Sequence, residues 1–171
     1  SPGPDVGAEG TGVTALGTAR RVRVKQQFDA IQKAEYAEAA FRTIQTYFQN
    51  ACAELHEASD QIRARFELMG PNAFTCTVVN RALMRNGEAH ITVRQARGGR
   101  MQVGDLSFVY QPHAEAGTSN GWMSVEADDY NLFLNAMIDG LGRSRDEKVT
   151  PEQAAERLWN NFVTQAGIEY E

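Results

Sequence analysis

The stretch FTCTVVNRALMRNGEAHITVRQ, residues 74–95, decides how the chain folds. β-Branched and aromatic residues dominate both of its halves, and such side chains suit a pleated, half-buried surface. Between the halves stands Asn86-Gly87, a pair that readily takes the positive φ angles of a hairpin turn. The stretch therefore predicts two antiparallel strands, FTCTVVNRAL (74–83) and AHITVRQ (89–95). Downstream, Gly98-Gly99 marks a turn, GDLSFVYQ (104–111) a third strand, PHAEAGTSNG (112–121) a longer loop, and WMSVEA (122–127) a fourth strand. Parallel neighbours need crossovers of a dozen or more residues, so strands joined this closely form an antiparallel meander. Along AHITVRQ, Ile91 and Val93 point to one face of the sheet, and His90, Thr92 and Arg94 to the other.

Upstream of the hairpin the period changes. From Gln26 to Met69 no glycine or proline interrupts the chain. Phe41, Ile44, Phe48, Cys52, Leu55, Ile62, Phe66 and Met69 fall on three- and four-residue steps, which gives one apolar helix face. Gly70-Pro71 supplies the stop. As a single rod, residues 26–69 would span roughly 65 Å at about 1.5 Å per residue, against about 40 Å for a compact chain of this length. The helix is therefore expected either to break near HEASD (56–60) or to project and pair with another chain. Phe28, Ile31 and Phe41 are the surplus apolar residues that a protein partner or a second copy would cover. A symmetric homodimer is the favoured arrangement, because most soluble oligomers are built that way.

At the other end, DDYNLFLNAMIDG (128–140) has two readings. The favoured one is a helix capped by Asp128 or Asp129 and ended by Gly140, with Phe133 and Met137 one turn apart. The other is a fifth strand on which Tyr130, Leu132 and Leu134 alternate. LGRSRDEK (141–148) reads as a polar loop. Thr150-Pro151-Glu152-Gln153 is a capping box with proline at the first helical position. Leu158, Trp159, Phe162 and Val163 form the buried stripe of that helix, Gly167 ends it, and Ile168 is placed to pack back. The expected fold class is α+β: a long N-terminal helix, whole or broken, packed on a four-stranded antiparallel β-meander, with one or two C-terminal helices. Residues 1–19, with five glycines and two prolines, read as a flexible tail. Residues 20–171 read as one domain.

Composition bounds the function. A net charge of -5 argues against a general affinity for nucleic acid or anionic lipid. The basic run RRVRVK, with Arg20, Arg21, Arg23 and Lys25, is read as a solvated lead-in in preference to a phosphate-binding arm. No apolar run approaches a membrane span, and the first residues lack the basic start and apolar stretch of a secretory signal. Cys52 and Cys76 form no CxxC pair, so they are expected to be reduced, buried small hydrophobes in a cytoplasmic protein. His56, His90 and His113 share no metal-binding spacing. His56 reads as a packing residue on the helix. No cofactor or metal is expected. Phosphate-cradling glycine loops and nucleophile elbows are absent.

The candidate ligand-binding residues are His90, Arg94, Tyr110, Trp122 and Glu126. A histidine, an arginine and a glutamate on one sheet face are raw material for acid–base chemistry, and equally for ordinary cross-strand charge pairs. Phe108, Tyr110 and Trp122 flank the third loop and could line an apolar pocket or close a core edge. The reading adopted is a non-enzymatic, acidic binding or adaptor protein that acts through protein contacts, with self-association. The alternative is a small-ligand cup or weak acid–base enzyme using His90, Arg94 and Glu126. An internal cavity between helix and sheet would favour the alternative, and a filled core would favour the first.

Overall fold

A computed structural model of the chain describes residues 20–96, 104–114, 119–136 and 147–171. The tail 1–19, the Gly98-Gly99 turn, residues 137–140 and residues 141–146 of the polar loop lie outside the described residues.

Helix α1 spans Ala30–Ala58. Asp29 starts it with a capping box: its Oδ1 accepts the Gln32 N–H at 2.7 Å, and Gln32 Oε1 accepts the Asp29 N–H at 2.9 Å. The buried face runs Ala37, Ala40, Phe41, Ile44, Phe48, Cys52 and Leu55, the three- and four-residue rhythm of a helix on a sheet. Strands β1 (Ile62–Leu68), β2 (Ala73–Asn80), β3 (Glu88–Gln95), β4 (Leu106–Val109), β5 (Gly121–Ala127), β6 (Leu132–Ala136) and β7 (Glu147–Val149) follow. They pair antiparallel in chain order as one seven-stranded sheet. Helix α2 (Pro151–Thr164) closes the chain.

Both helices cover the same face of the sheet. Cys76, Ile91, Val93, Leu106, Phe108, Met123 and Leu134 point inward and share one core with α1 and α2. Phe48 sits at its centre, edge-on to Trp159 at 5.2 Å between ring centroids and 5.3 Å from Phe74. Trp159, Phe41, Phe48, Phe74, Phe108 and Phe162 are all under 2% exposed, so among the described residues the space between helices and sheet is filled.

The α+β class and the long N-terminal helix stand, and the expected four-stranded meander appears as β2–β5. Several finer expectations are corrected. The sheet has seven strands, not four. The helix ends at Ala58, where Ser59 turns extended at φ -157°, so of the two expected arrangements the break near residues 56–60 is the one found. The segment after it is β1, not a continuation of the helical stripe. At about 1.5 Å per residue α1 spans about 43 Å, so the length mismatch that motivated a helix-paired homodimer is gone. Phe41 is 1% exposed with its ring 5.8 Å from Phe74. It belongs to the core and is closed to a partner, because its neighbours on the helix face are Ala37, Ala40 and Ile44. Residues 128–136 form no helix. The Asp128 carboxylate instead accepts the N–H groups of Tyr130 (2.8 Å) and Asn131 (2.7 Å), closing the turn from β5 into β6. Those two bonds hold its pKa below the ordinary range. Residues 147–149, at the end of the presumed loop, pair with β6 as β7.

Two turn details refine the hairpin. Strand β2 ends at Asn80, and residues 81–87 form the connection, with Asn86 at φ 57°. A Cβ on Gly87 would lie 2.5 Å from the Asn80 carbonyl oxygen, so the position admits only glycine. The C-terminal helix matches its expectation: Thr150 and Gln153 exchange capping bonds at 3.1 and 3.0 Å. Gly167 sits at φ 76°, and the Ile168 N–H returns to the Val163 carbonyl at 3.1 Å.

Candidate functional site

Among the described residues no helix lies on the outer face of the sheet, and the residues of that face follow from strand register. Thr77 stands opposite Arg65 on one side and His90 on the other. Thr75 stands between Glu67 and Thr92. Arg94, Ser107 and Trp122 form one row across β3, β4 and β5. Alternation thus places Thr75, Thr77, His90, Arg94, Ser107, Ser124 and Glu126 on one face, as expected.

The face does not gather the predicted trio. His90 lies four residues from the Arg94 row in one direction along β3 (94 minus 90), and Glu126 four residues in the other along β5 (126 minus 122). With about 3.3 Å of rise per residue and about 4.8 Å between strands, His90 and Glu126 are roughly 25–30 Å apart. Each has local partners: His90 meets Thr77 Oγ1 at 3.1 Å and Glu88 at 3.4 Å, and Glu126 accepts from Asn135 Nδ2 at 3.1 Å. Arg94 donates to the backbone carbonyl of Ala114. The aromatics divide as well. Phe108 is in the core with the Tyr110 ring 5.6 Å away, whereas Trp122 lies on the opposite, outer face.

Residues 111–114 fold over this face as a strap. Thr92 Oγ1 donates to the Gln111 carbonyl at 2.7 Å, and the His113 N–H reaches Thr75 Oγ1 at 3.3 Å. His113 Nε2 meets Glu67 Oε1 at 2.8 Å. This hydrogen bond holds the Glu67 carboxyl below its ordinary pKa, with smaller charge contributions from His113 and Arg65.

A second feature follows from β1 being the edge of the sheet. The Met69 N–H bonds the Ala73 carbonyl at 2.8 Å and the Arg81 N–H the Gln61 carbonyl at 2.7 Å. Odd-numbered residues from 61 to 69 therefore form the rungs to β2, and Ala64, Phe66 and Leu68 turn their N–H and C=O groups outward. His56 Nδ1 accepts the Ala64 N–H at 3.2 Å, so His56 joins the helix end to β1 and is no packing residue. Among the described residues the Phe66 and Leu68 N–H groups have no partner. Beside this edge runs a groove of about 580 Å³ lined by Arg63, Arg65, Arg81, Thr77, Val79 and His56. Arg65 lies 3.7 Å from Glu67, while Arg63 and Arg81 have no carboxylate partner among the described residues.

Sequence reasoning missed these arginines because Ile62, Phe66 and Met69 also fit a helical step. The missed signal is IRARFEL itself, in which Ile62, Ala64, Phe66 and Leu68 alternate strictly with Arg63, Arg65 and Glu67. The basic run at 20–25 is partly spoken for: the Arg23 guanidinium sits 4.0 Å over the Tyr130 ring, and Lys25 lies 3.7 Å from Asp129. No cluster of three or more metal-ligating side chains occurs among the described residues. No helix among them is long and apolar enough to cross a membrane. Cys52 and Cys76 are free and buried.

Fold and surface together define a two-layer α+β domain with an open sheet face and an arginine-lined edge. Residues 63–164 match the Y4lF protein domain, more than half of the chain, and the chain belongs to that family. The matched span starts inside β1 and ends with α2, leaving α1 outside it. The chain is 44% identical over 106 residues to uncharacterized protein y4kM of Sinorhizobium fredii, covering 62% of this chain and 89% of that one. It is 29% identical over 139 residues to uncharacterized protein y4lF of the same organism, covering 81% of this chain and 42% of that one. The chain thus spans less than half the length of the second relative. No solved structure matches the chain.

Proposed function

We propose that the protein is a non-enzymatic binding module that acts through protein–protein contact. The observation that carries this reading is the filled interior beside an open sheet edge: the large aromatics occupy the space where a ligand cup would lie, while β1 leaves backbone donors and acceptors turned outward. Such edges recruit extended segments of other chains. The wide separation of His90 and Glu126 along the sheet removes the support for an acid–base site. Ile31, 70% exposed on the first turn of α1, supports a second copy as a further partner at that end. Two unpaired cysteines support a reducing, cytoplasmic location.

A photo-crosslinking side chain placed at exposed Leu68, used with extract from the native cell, tests the reading. A specific protein crosslinked at this position is expected. A small molecule that raises the melting temperature strongly, with no protein captured at any face, would overturn it.

A further inference from the structure

We infer that the β1 edge takes an extended acidic peptide, which adds as an eighth strand and sets its carboxylates against Arg63, Arg65 and Arg81. The inference rests on the reading of the chain as a protein-binding module and names the chemistry of its partner. Two independent observations meet at this edge. The first is backbone geometry. Phe66 and Leu68 present N–H and C=O groups at the two-residue repeat that an added antiparallel strand requires. Leu68 is 60% exposed, so the approach is open at that end of the edge.

The second is charge. The chain carries a net charge of -5, yet this groove gathers three guanidinium groups. Of the nearby carboxylates, Glu88 is engaged with His90 at 3.4 Å, and Glu67 with His113 at 2.8 Å and more loosely with Arg65 at 3.7 Å, which leaves Arg63 and Arg81 without a carboxylate among the described residues. Arg63 and Arg65 are two residues apart on one strand, so they repeat at about 6.6–7 Å, the spacing of same-face side chains on an added strand. Opposite charges set across paired strands are mutually stabilising. Guanidinium groups also accept carboxylates in a two-pronged geometry that a lysine cannot offer. The ligand that fits is therefore a strand with Asp or Glu at the successive same-face positions opposite Arg63 and Arg65, beyond the Glu67 carboxylate that His113 already holds. A second copy at this edge would bring a second set of the same arginines onto one continuous sheet face, which disfavours it.

His56 limits the register. By holding the Ala64 N–H it closes the edge at that residue, so the added strand pairs at Phe66 and Leu68 and reaches toward Arg63 and Arg81 with side chains alone.

Fluorescence polarisation with a labelled peptide of alternating Glu and Val tests this, at a length of about eight residues, a full strand. Four comparison probes are used: the Lys–Val counterpart, two Glu–Val peptides N-methylated at alternate amides in opposite phases, and a single-stranded DNA oligonucleotide. The Glu–Val peptide is expected to bind and the Lys–Val peptide not to bind. One N-methylated phase should lose binding and the other retain it. Arg63→Glu combined with Arg81→Glu should weaken binding at least about tenfold, 1.4 kcal/mol, with an unchanged melting temperature, since both side chains are exposed. Equal binding of DNA and of both N-methylated peptides would overturn the proposal in favour of a simple polyanion surface. A dimer by sedimentation equilibrium that Arg63→Glu alters would assign the edge to a second copy and likewise overturn it. Failure of the probe, with a protein captured at another face, sinks the acidic strand and leaves the binding-module reading standing. Capture of nothing sinks the reading beneath it.

Discussion

The hydroxyls of Thr75 on β2 and Thr92 on β3 lie 2.8 Å apart on the sheet face that no helix covers, yet both residues are buried, at 1% and 0% exposed. Their cover is the strap at residues 111–114, and Thr92 is its anchor through the Gln111 carbonyl. Thr92→Val keeps the shape and removes the hydroxyl, leaving that carbonyl without its donor. A loss of about 1–3 kcal/mol is expected from the unsatisfied buried group, read by urea unfolding. Thr77→Val, at a half-buried residue whose hydroxyl meets only His90 among the described residues, should cost less. Equal costs would show that the strap is held by something other than the threonine pair.

Neighbouring residues on β3 separate the two faces energetically. Ile91 is 0% exposed beneath α1, and Ile91→Ala should cost roughly 2–5 kcal/mol, transfer and cavity terms together. Arg94→Ala removes one bond from a charged donor to the Ala114 carbonyl, but it also relieves a buried Nε that has no partner among the described residues. The two effects oppose, so the net loss should stay below about 1.5 kcal/mol. A reversed order in denaturant titrations would contradict the face assignment.

The parts of the fold legible in the sequence were those where one period stood alone. The hairpin around Asn86-Gly87 and the capping box at Thr150 each carry a local signal that no competing reading matches. β1 was hidden because Ile62 and Phe66 satisfy both a two-residue and a four-residue step, and Met69 completes the helical series. No glycine or proline marks the end of the helix between residues 26 and 69, so the break near residues 56–60 followed from chain length alone, and nothing local showed that a strand comes after it. β6 was the less favoured of two readings, because the Asp128 carboxylate serves a helix cap and a tight turn equally well. The candidate site suffered the same way. His90, Arg94 and Glu126 were placed on the correct face, but alternation does not give their separation along the strands, which needs the register of three pairings. Arg63 and Arg65 were lost with their strand.

The Glu67–His113 contact predicts a pH dependence. Folding lowers the Glu67 pKa from its ordinary 4.5, chiefly through the His113 hydrogen bond. The folded chain therefore binds that proton less tightly than the unfolded chain. Its contribution to stability is complete above the unfolded pKa and drains away as pH falls through the lower folded value. Glu67→Gln should make the loss of stability shallower in this acid window. Melting curves between about pH 3 and pH 6, which bracket the ordinary glutamate range, would check this. An identical acid limb in the two proteins would remove the contact from the account.

Cys52 on α1 and Cys76 on β2 meet across the core. A hydrogen bond between the thiols pushes Cys52 down and Cys76 up, and burial adds to the rise at Cys76. The two are 3% and 0% exposed, so a reagent that needs a thiolate in contact with solvent reaches neither. In the native state both should be silent to an aromatic disulfide reagent, and both should react together at the rate of unfolding. Rapid labelling of one thiol at neutral pH without denaturant would show that the helix–sheet seam opens locally.

The last prediction concerns Phe41. If it lined a seam between two copies, Phe41→Asp would dissociate a dimer and leave a folded chain. Its position argues for a different outcome. The side chain is 1% exposed and packs tilted against Phe74, which in turn contacts Phe48 and Phe66 at 5.3 Å each. A carboxylate there has no cation within the apolar cluster, and a buried unpaired charge is among the most damaging changes a core can receive. Losing the ring alone costs about 3–5 kcal/mol, a large share of the stability expected for a domain of this size. Phe41→Asp should therefore unfold the chain, seen as lost helical circular dichroism and insoluble expression. Ile31→Asp, at a position 70% exposed on the same helix, should leave the melting temperature within about 1 °C, because surface substitutions fall within about 0.5 kcal/mol. Sedimentation equilibrium on that second variant isolates self-association from folding. If the parent sediments near twice 18.9 kDa and Ile31→Asp at the single-chain mass, the free end of α1 is the seam. A folded, monomeric Phe41→Asp protein would contradict its place in the core.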